Sequence, residues 1–180
     1  FGDDVVRTED RPRNRDIACY PSPFLTGEFE HDCFKGLPGV VLETNRGCPY
    51  GCTFCDWGAA TLQKVSQFDL ERIKAEIFYI AEKMKPSSLY IADANFGAFQ
   101  RDLDIVETIV EAKKRFGFPK SFACNYAKNA SPRLAEIIKT LNQGGLIATG
   151  IISMQSTDAE TLNVIQRSNI RNEKYDQLLD

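Results

Sequence analysis

The run Arg46-Gly47-Cys48-Pro49-Tyr50-Gly51-Cys52-Thr53-Phe54-Cys55-Asp56-Trp57-Gly58 decides how the rest of the chain is read. Its three cysteines are separated by three residues and then by two. Thiolates this close together can wrap one soft metal centre from a single loop, as they do around iron–sulfur clusters. Gly47, Pro49 and Gly51 oppose helix and strand and let the backbone come close to such a cluster. A four-iron cube held by three thiolates keeps one iron open to a ligand from elsewhere. A disulfide and a zinc knuckle are the other readings of such a loop. Zinc usually asks for a second Cys/His pair at a regular distance, and the lone His31 with Cys33 is a poor one.

Outward from the loop the pattern alternates between strand and helix. Val40-Val41-Leu42-Glu43-Thr44 is a β-branched run leading into the cysteines. Asp69 can cap a helix whose stripe is Leu70, Ile73, Ile77, Ile80 and Met84, with Pro86 as its stop. Leu89–Ala92 is the next strand and ends in Asp93-Ala94-Asn95-Phe96-Gly97. A second helix is expected from about Arg101 to Phe116, with Leu103, Val106, Ile109 and Val110 inward and Gly117 as terminator. Ser121–Asn125 reads as a third strand. Ser131 and Pro132 open a third helix with Leu134, Ile137, Ile138 and Leu141, closed by Gly144-Gly145. Leu146–Ile152 is the fourth strand, and Thr157 with Glu160 forms a capping box for a last helix bearing Leu162 and Ile165.

Four strand–helix units in a row imply an α/β fold with a parallel sheet and right-handed crossovers. Chemistry in such folds gathers at the C-terminal ends of the strands. Those ends are Glu43-Thr44, Asp93 and Asn95, Cys124-Asn125, and Ser153 with Gln155. Each strand passes from apolar to polar at the same end, as a shared site above the sheet requires.

The 180 residues suffice for one domain with a real core, and 43% hydrophobic with 26% charged residues is ordinary for a globular protein. A net charge of −3 gives no electrostatic reason to expect nucleic acid as a partner. No apolar run approaches the ~20 residues of a membrane span. Closely spaced thiols suit a reducing compartment, so a cytoplasmic location is expected. The chain begins at Phe1 rather than Met and stops inside a charged stretch, which suggests a piece of a longer protein.

Cys-x3-Cys-x-aromatic-Cys directly after an apolar strand, with Phe54 as the aromatic, is similar to the motif of the radical S-adenosylmethionine (SAM) superfamily. The resemblance covers residues 39 to about 170. It implies a partial parallel (β/α) barrel, truncated here after about four strand–helix units. Residues 39–180 would then be an incomplete radical SAM core, and residues 1–38 a lead-in from a preceding domain. The turn-rich Tyr20-Pro21-Ser22-Pro23-Phe24-Leu25-Thr26-Gly27 resembles the lead-in of members that carry an N-terminal cobalamin-binding domain.

By the same resemblance Cys48, Cys52 and Cys55 hold a [4Fe–4S] cluster whose open iron chelates SAM. The enzyme then cleaves SAM reductively to a 5′-deoxyadenosyl radical, with flavodoxin or ferredoxin as reductant. Asp93-Ala94-Asn95-Phe96-Gly97 stands where many members carry a Gly-Gly-Glu-like segment for the SAM amino group. It departs from that pattern and resembles cobalamin-dependent members instead. So do Cys55-Asp56-Trp57-Gly58 and Ser153-Met154-Gln155-Ser156, followed by Leu162 and Arg167. The expected SAM contacts are Asp93 or Asn95 at the ammonium, Asn125, Ser153 and Gln155 at ribose and carboxylate, and Phe54 at adenine. Trp57 either packs or shields the open iron.

The expectation is therefore a cobalamin-dependent radical SAM enzyme, a methyltransferase acting on an unactivated carbon of an unidentified small molecule or peptide. A methylthiotransferase, or another radical SAM activity without cobalamin, is the alternative within the class. The rival outside it is an electron-transfer iron–sulfur protein closed by a fourth cysteine from Cys19, Cys33 or Cys124.

Overall fold

A computed structural model describes residues 7–9, 14–55, 64–127, 132–151 and 153–167. Strands β1 (Gly39–Leu42), β4 (Ser88–Phe96), β5 (Ser121–Tyr126) and β6 (Ile147–Ile151) form one parallel sheet in the order β1-β4-β5-β6. Between the first two of these, β2 (Asn45–Arg46) and β3 (Ser66–Gln67) pair antiparallel as a separate clasp. The cysteine loop leaves from one arm of this clasp, and the chain returns through the other.

Helices α1 (Leu70–Tyr79), α2 (Arg101–Phe116) and α3 (Pro132–Gln143) follow β3, β4 and β5. Asp69 caps α1 as expected, its carboxylate accepting the Arg72 N–H at 3.1 Å. The expected stripe is buried at Ile73, Ile77, Ile80 and Met84. Its last turn, Ile80–Met84, widens into a π-helical turn ended by Lys85 in the left-handed region, with φ +51°. Gly117 stops α2 in the same region, where a glycine costs least.

Along β1, β4 and β5 alternate residues are buried, so one face of the sheet is covered. Leu89, Ile91 and Phe122 from that face join Ile73, Ile77, Ile105, Ile109, Leu134 and Ile137 from the helices in one core. Each such aliphatic side chain contributes roughly 1.5–3 kcal/mol when fully buried. The opposite face carries Ala92 and Ala94 beside exposed Val41, Ile147 and Ile151. Gly150 is required where β6 meets β5, because a Cβ there would overlap the Tyr126 ring.

Three expectations change. The polar segment from Asp93 is not a loop: β4 runs on to Phe96, with its register to β5 shifting between Ile91 and Phe96. The last helix, α4 (Ala159–Val164), is capped by Asp158, whose carboxylate accepts the Thr161 N–H at 2.8 Å, so Thr157 and Glu160 are not its capping pair. Ile105 joins the buried face of α2, whereas Leu103 is only partly covered. The expected cap Ser131 and the last residue of the fourth strand, Ile152, lie outside the described residues.

The described part of the lead-in is anchored to the core at Ile17 and Phe24, which are buried there. The Arg72 guanidinium donates to the Tyr20 carbonyl at 2.6 Å. Among the described residues no helix is long and apolar enough to cross a membrane.

Candidate metal and cofactor site

The base of the cysteine loop is fixed by a buried carboxylate. Asp93, 1% exposed near the end of β4, accepts the backbone N–H groups of Thr44 and Asn45 at 2.8 and 3.2 Å. It also accepts the Thr44 hydroxyl and, at 2.6 Å, the Asn45 side-chain amide. Burial pushes this carboxyl up to about 6, against the lowering effect of the donors from Thr44 and Asn45. Next door, Phe68 donates its N–H to the Thr44 carbonyl, closing the clasp.

The loop itself departs with Gly47 at φ +106°, a conformation that favours glycine. Cys48 and Cys52 are buried, Cys55 is half-buried, and none of the three is in a disulfide. The Cys55 N–H bonds the Cys52 carbonyl at 3.2 Å, and the Thr53 N–H bonds the Ile165 carbonyl beyond α4. Asn95, two residues beyond Asp93, donates its side-chain N–H to Cys48 Sγ at 3.2 Å. Burial pushes the Tyr50 phenol up, and the neighbouring Cys48 and Cys52 sulfurs add to this while Arg167 opposes it.

A cavity of about 220 Å³ opens at the C-terminal ends of β4, β5 and β6, walled by Cys48, Cys55, Ala92, Ala94, Asn125, Tyr126, Ile151 and Ser153. Pockets for drug-sized molecules run to roughly 300–1,000 Å³, so this one holds a compact inorganic group and only part of any larger ligand. Two alanines leave the room and two thiols face it. Among the described residues no three His, Cys, Asp or Glu side chains gather round a single point as one metal ion requires. Three thiolates suit the separate irons of a cube, whereas structural zinc takes four Cys or His ligands.

The expected site residues divide. Cys48, Cys55, Asn125 and Ser153 share the cavity wall, and Cys52 lies buried in the same loop. Asn125 donates to the Tyr90 hydroxyl at 2.8 Å, and the Ser153 carbonyl accepts from Arg167. Phe54 and Gln155 are exposed and off the wall. Asp93 is also off the wall, and its two oxygens are engaged by Thr44 and Asn45. These bonds place Asp93 at the loop's base. Cys124 is buried with its thiol pushed well above the usual range by burial, and it does not line the cavity. Cys19 and Cys33 are exposed on the lead-in. Trp57 lies outside the described residues.

Sequence reading alone missed Thr44 and Asn45 as clients of Asp93. It also missed Asp102, which is 1% exposed and accepts the N–H groups of Gly97 and Phe99 at 2.8 and 3.0 Å, fixing the turn after β4. An acid six residues beyond the strand end was the available signal, and it reads equally well as a helix first turn.

No family model matches the chain. It is 46% identical over 163 residues to 2-(S-pantetheinyl)-carbapenam-3-carboxylate methyltransferase of Streptantibioticus cattleyicolor, over 88% of this chain and 24% of that protein. It is 41% identical over the same shares to the cobalamin-dependent radical SAM methyltransferase TokK of Streptomyces tokunonensis. Over this stretch the chain is similar to a radical SAM methyltransferase. A third relative, hopanoid C-2 methylase of Rhodopseudomonas palustris, is 29% identical over 91% of this chain and 29% of its own length. The chain thus spans about a quarter of the length of the curated relatives it matches. The radical SAM fold also answers to a solved structure of the cobalamin-dependent S-adenosylmethionine radical enzyme OxsB with aqua-cobalamin and S-adenosylmethionine bound. That likeness has a TM-score of 0.53 at 20% identity and covers 73% of this chain and 20% of OxsB.

Proposed function

We propose that this chain is the cluster-bearing part of a cobalamin-dependent radical SAM methyltransferase. The observation that carries the reading is the cysteine loop, set over the C-terminal ends of parallel strands with Cys48 and Cys55 in a cavity wall. Cys48, Cys52 and Cys55 hold a [4Fe–4S] cluster, leaving one iron open for SAM. When bound, these groups supply an electron for reductive cleavage of SAM to methionine and a 5′-deoxyadenosyl radical, with cobalamin carrying the methyl to be transferred.

The chain's own residues bind and orient. Asp93 holds the loop's base through Thr44 and Asn45, so the three thiols keep their spacing. Asn125 and Ser153, on the cavity wall, serve SAM's polar groups, and Asn95 Oδ1, buried with no hydrogen-bond partner among the described residues, offers an acceptor for its ammonium. Ala92 and Ala94 keep the cavity open. The electron comes from a small carrier such as flavodoxin or ferredoxin, in the cytoplasm, and the acceptor is an unactivated carbon of a small molecule or peptide. Identity to three methyltransferases supports methyl transfer over methylthiolation.

Anaerobic reconstitution tests this directly. About four irons and four sulfides per chain are expected, with 5′-deoxyadenosine formed from SAM under a strong reductant. Stoichiometric zinc without sulfide, or a cluster indifferent to SAM, would defeat it.

A further inference from the structure

Asn95 holds an unusual position for a buried amide. Its side chain is 4% exposed and its N–H donates to Cys48 Sγ at 3.2 Å, while Oδ1 is buried with no hydrogen-bond partner among the described residues. A side chain kept only for packing would satisfy both ends or be apolar. Here one end is committed to sulfur. A thiolate can only accept, so the amide turns its N–H to it.

We infer that Asn95 sets the electron affinity of the cluster by donating a hydrogen bond to the Cys48 thiolate. The inference rests on the three-thiolate reading above. Reduction adds negative charge that spreads onto the ligand sulfurs, and an N–H dipole aimed at one of them stabilises the reduced form more than the oxidised. The site is shut from water on this side, so the dipole acts at low dielectric and is not screened. Asn95 is held in place from strand β4, whose neighbouring Asp93 grips Thr44 and Asn45 at the start of the same loop. Donor and sulfur are thus fixed to one frame. Asn95 is a positioning residue in this account: it touches the ligand, not iron.

The test is a reductive titration followed by EPR on the anaerobically reconstituted protein, wild type against Asn95→Leu and Asn95→Asp. Asn95→Leu removes the donor at similar volume, and one-electron reduction should become about tenfold harder, a drop of about 59 mV. Asn95→Asp keeps the shape but replaces the donor with an acceptor, and should fall further. Potentials equal to wild type in both variants, or a rise in either, overturn the inference while leaving the cluster reading intact. If Asn95→Leu takes up no iron, Asn95→Asp decides by the same criterion. A wild type that holds no sulfide-containing cluster overturns the cluster reading and this inference with it.

Discussion

Asp93 and Thr44 lie 49 residues apart in sequence, yet the Asp93 carboxylate takes both the backbone N–H of Thr44, at 2.8 Å, and its hydroxyl. The bond joins the end of one parallel strand to the first residues after its neighbour, just before the cysteine loop begins. It makes the loop's position a property of the sheet. Asp93→Ala leaves the Thr44 and Asn45 donors without their acceptor. Hydrogen bonds to a charged group are worth about 1.5–3 kcal/mol each and do not add fully, so a loss of about 3 kcal/mol or more is expected in urea denaturation. Iron uptake should fall with it. A variant as stable as wild type would remove Asp93 from this role.

The same carboxyl gives a pH signature. Its folded value of about 6 lies above the ordinary 3.8. Between those values the unfolded chain has released the proton and the folded chain retains it, so stability falls as pH rises. The contribution is fully present below about 3.8 and gone above about 6. A shift of about 2 units corresponds to about 3 kcal/mol. Denaturation of wild type and Asp93→Asn from pH 4 to 8 should show wild type losing ground to the variant up to pH 6 and running parallel above it. A difference that is flat across the range would contradict the raised value.

Local pattern foretold the framework well, because each piece of it is set within one turn or one strand. The stripe from Ile73 to Met84 and the cap at Asp69 follow from spacing alone. Cooperation across the chain could not be read that way. Asp93 and Asn95 were visible as polar residues after an apolar run, which is how a loop starts. They stay in the strand because their partners, Thr44, Asn45 and Cys48, arrive from nearly 50 positions upstream. Thr157 and Asp158 are both good capping residues, and only the backbone path selects the second.

Substituting the cysteines separates ligands from packing. Cys48→Ala, Cys52→Ala and Cys55→Ala should each abolish the charge-transfer absorbance of reconstituted protein. Cys124→Ala should retain wild-type iron, at a cost of about 1 kcal/mol for the small cavity it leaves. Loss of iron from the Cys124 variant would instead favour a closed, four-cysteine cluster.

Gly150 offers a check on the sheet. A methyl group there would overlap the Tyr126 ring, so Gly150→Ala forces β6 away from β5 or turns the ring from the cavity wall. Overpacking of this kind costs about 1–3 kcal/mol. Neighbouring Thr149 is exposed, and Thr149→Ala should stay within about 0.5 kcal/mol of wild type in the same urea titration. Equal effects at the two positions would contradict the register of β5 against β6.

Arg72 ties the lead-in to the barrel and can be tested by a double-mutant cycle. Its guanidinium bonds the Tyr20 carbonyl at 2.6 Å and the Glu76 carboxylate at 2.9 Å, and lies 4.4 Å from the centre of the Phe68 ring. Glu76 is only 2% exposed and is paired with Arg72. Arg72→Ala strands a buried carboxylate and should cost about 3–5 kcal/mol. Glu76→Leu on the same background removes the stranded charge and should recover much of that loss. The bond to Tyr20 is not restored by the second change. Limited proteolysis should therefore cut the Tyr20–Gly27 segment faster in both the single and the double variant than in wild type. Recovery of stability with persistent cleavage separates the two roles of Arg72, whereas recovery of both would mean that Glu76 alone depends on it.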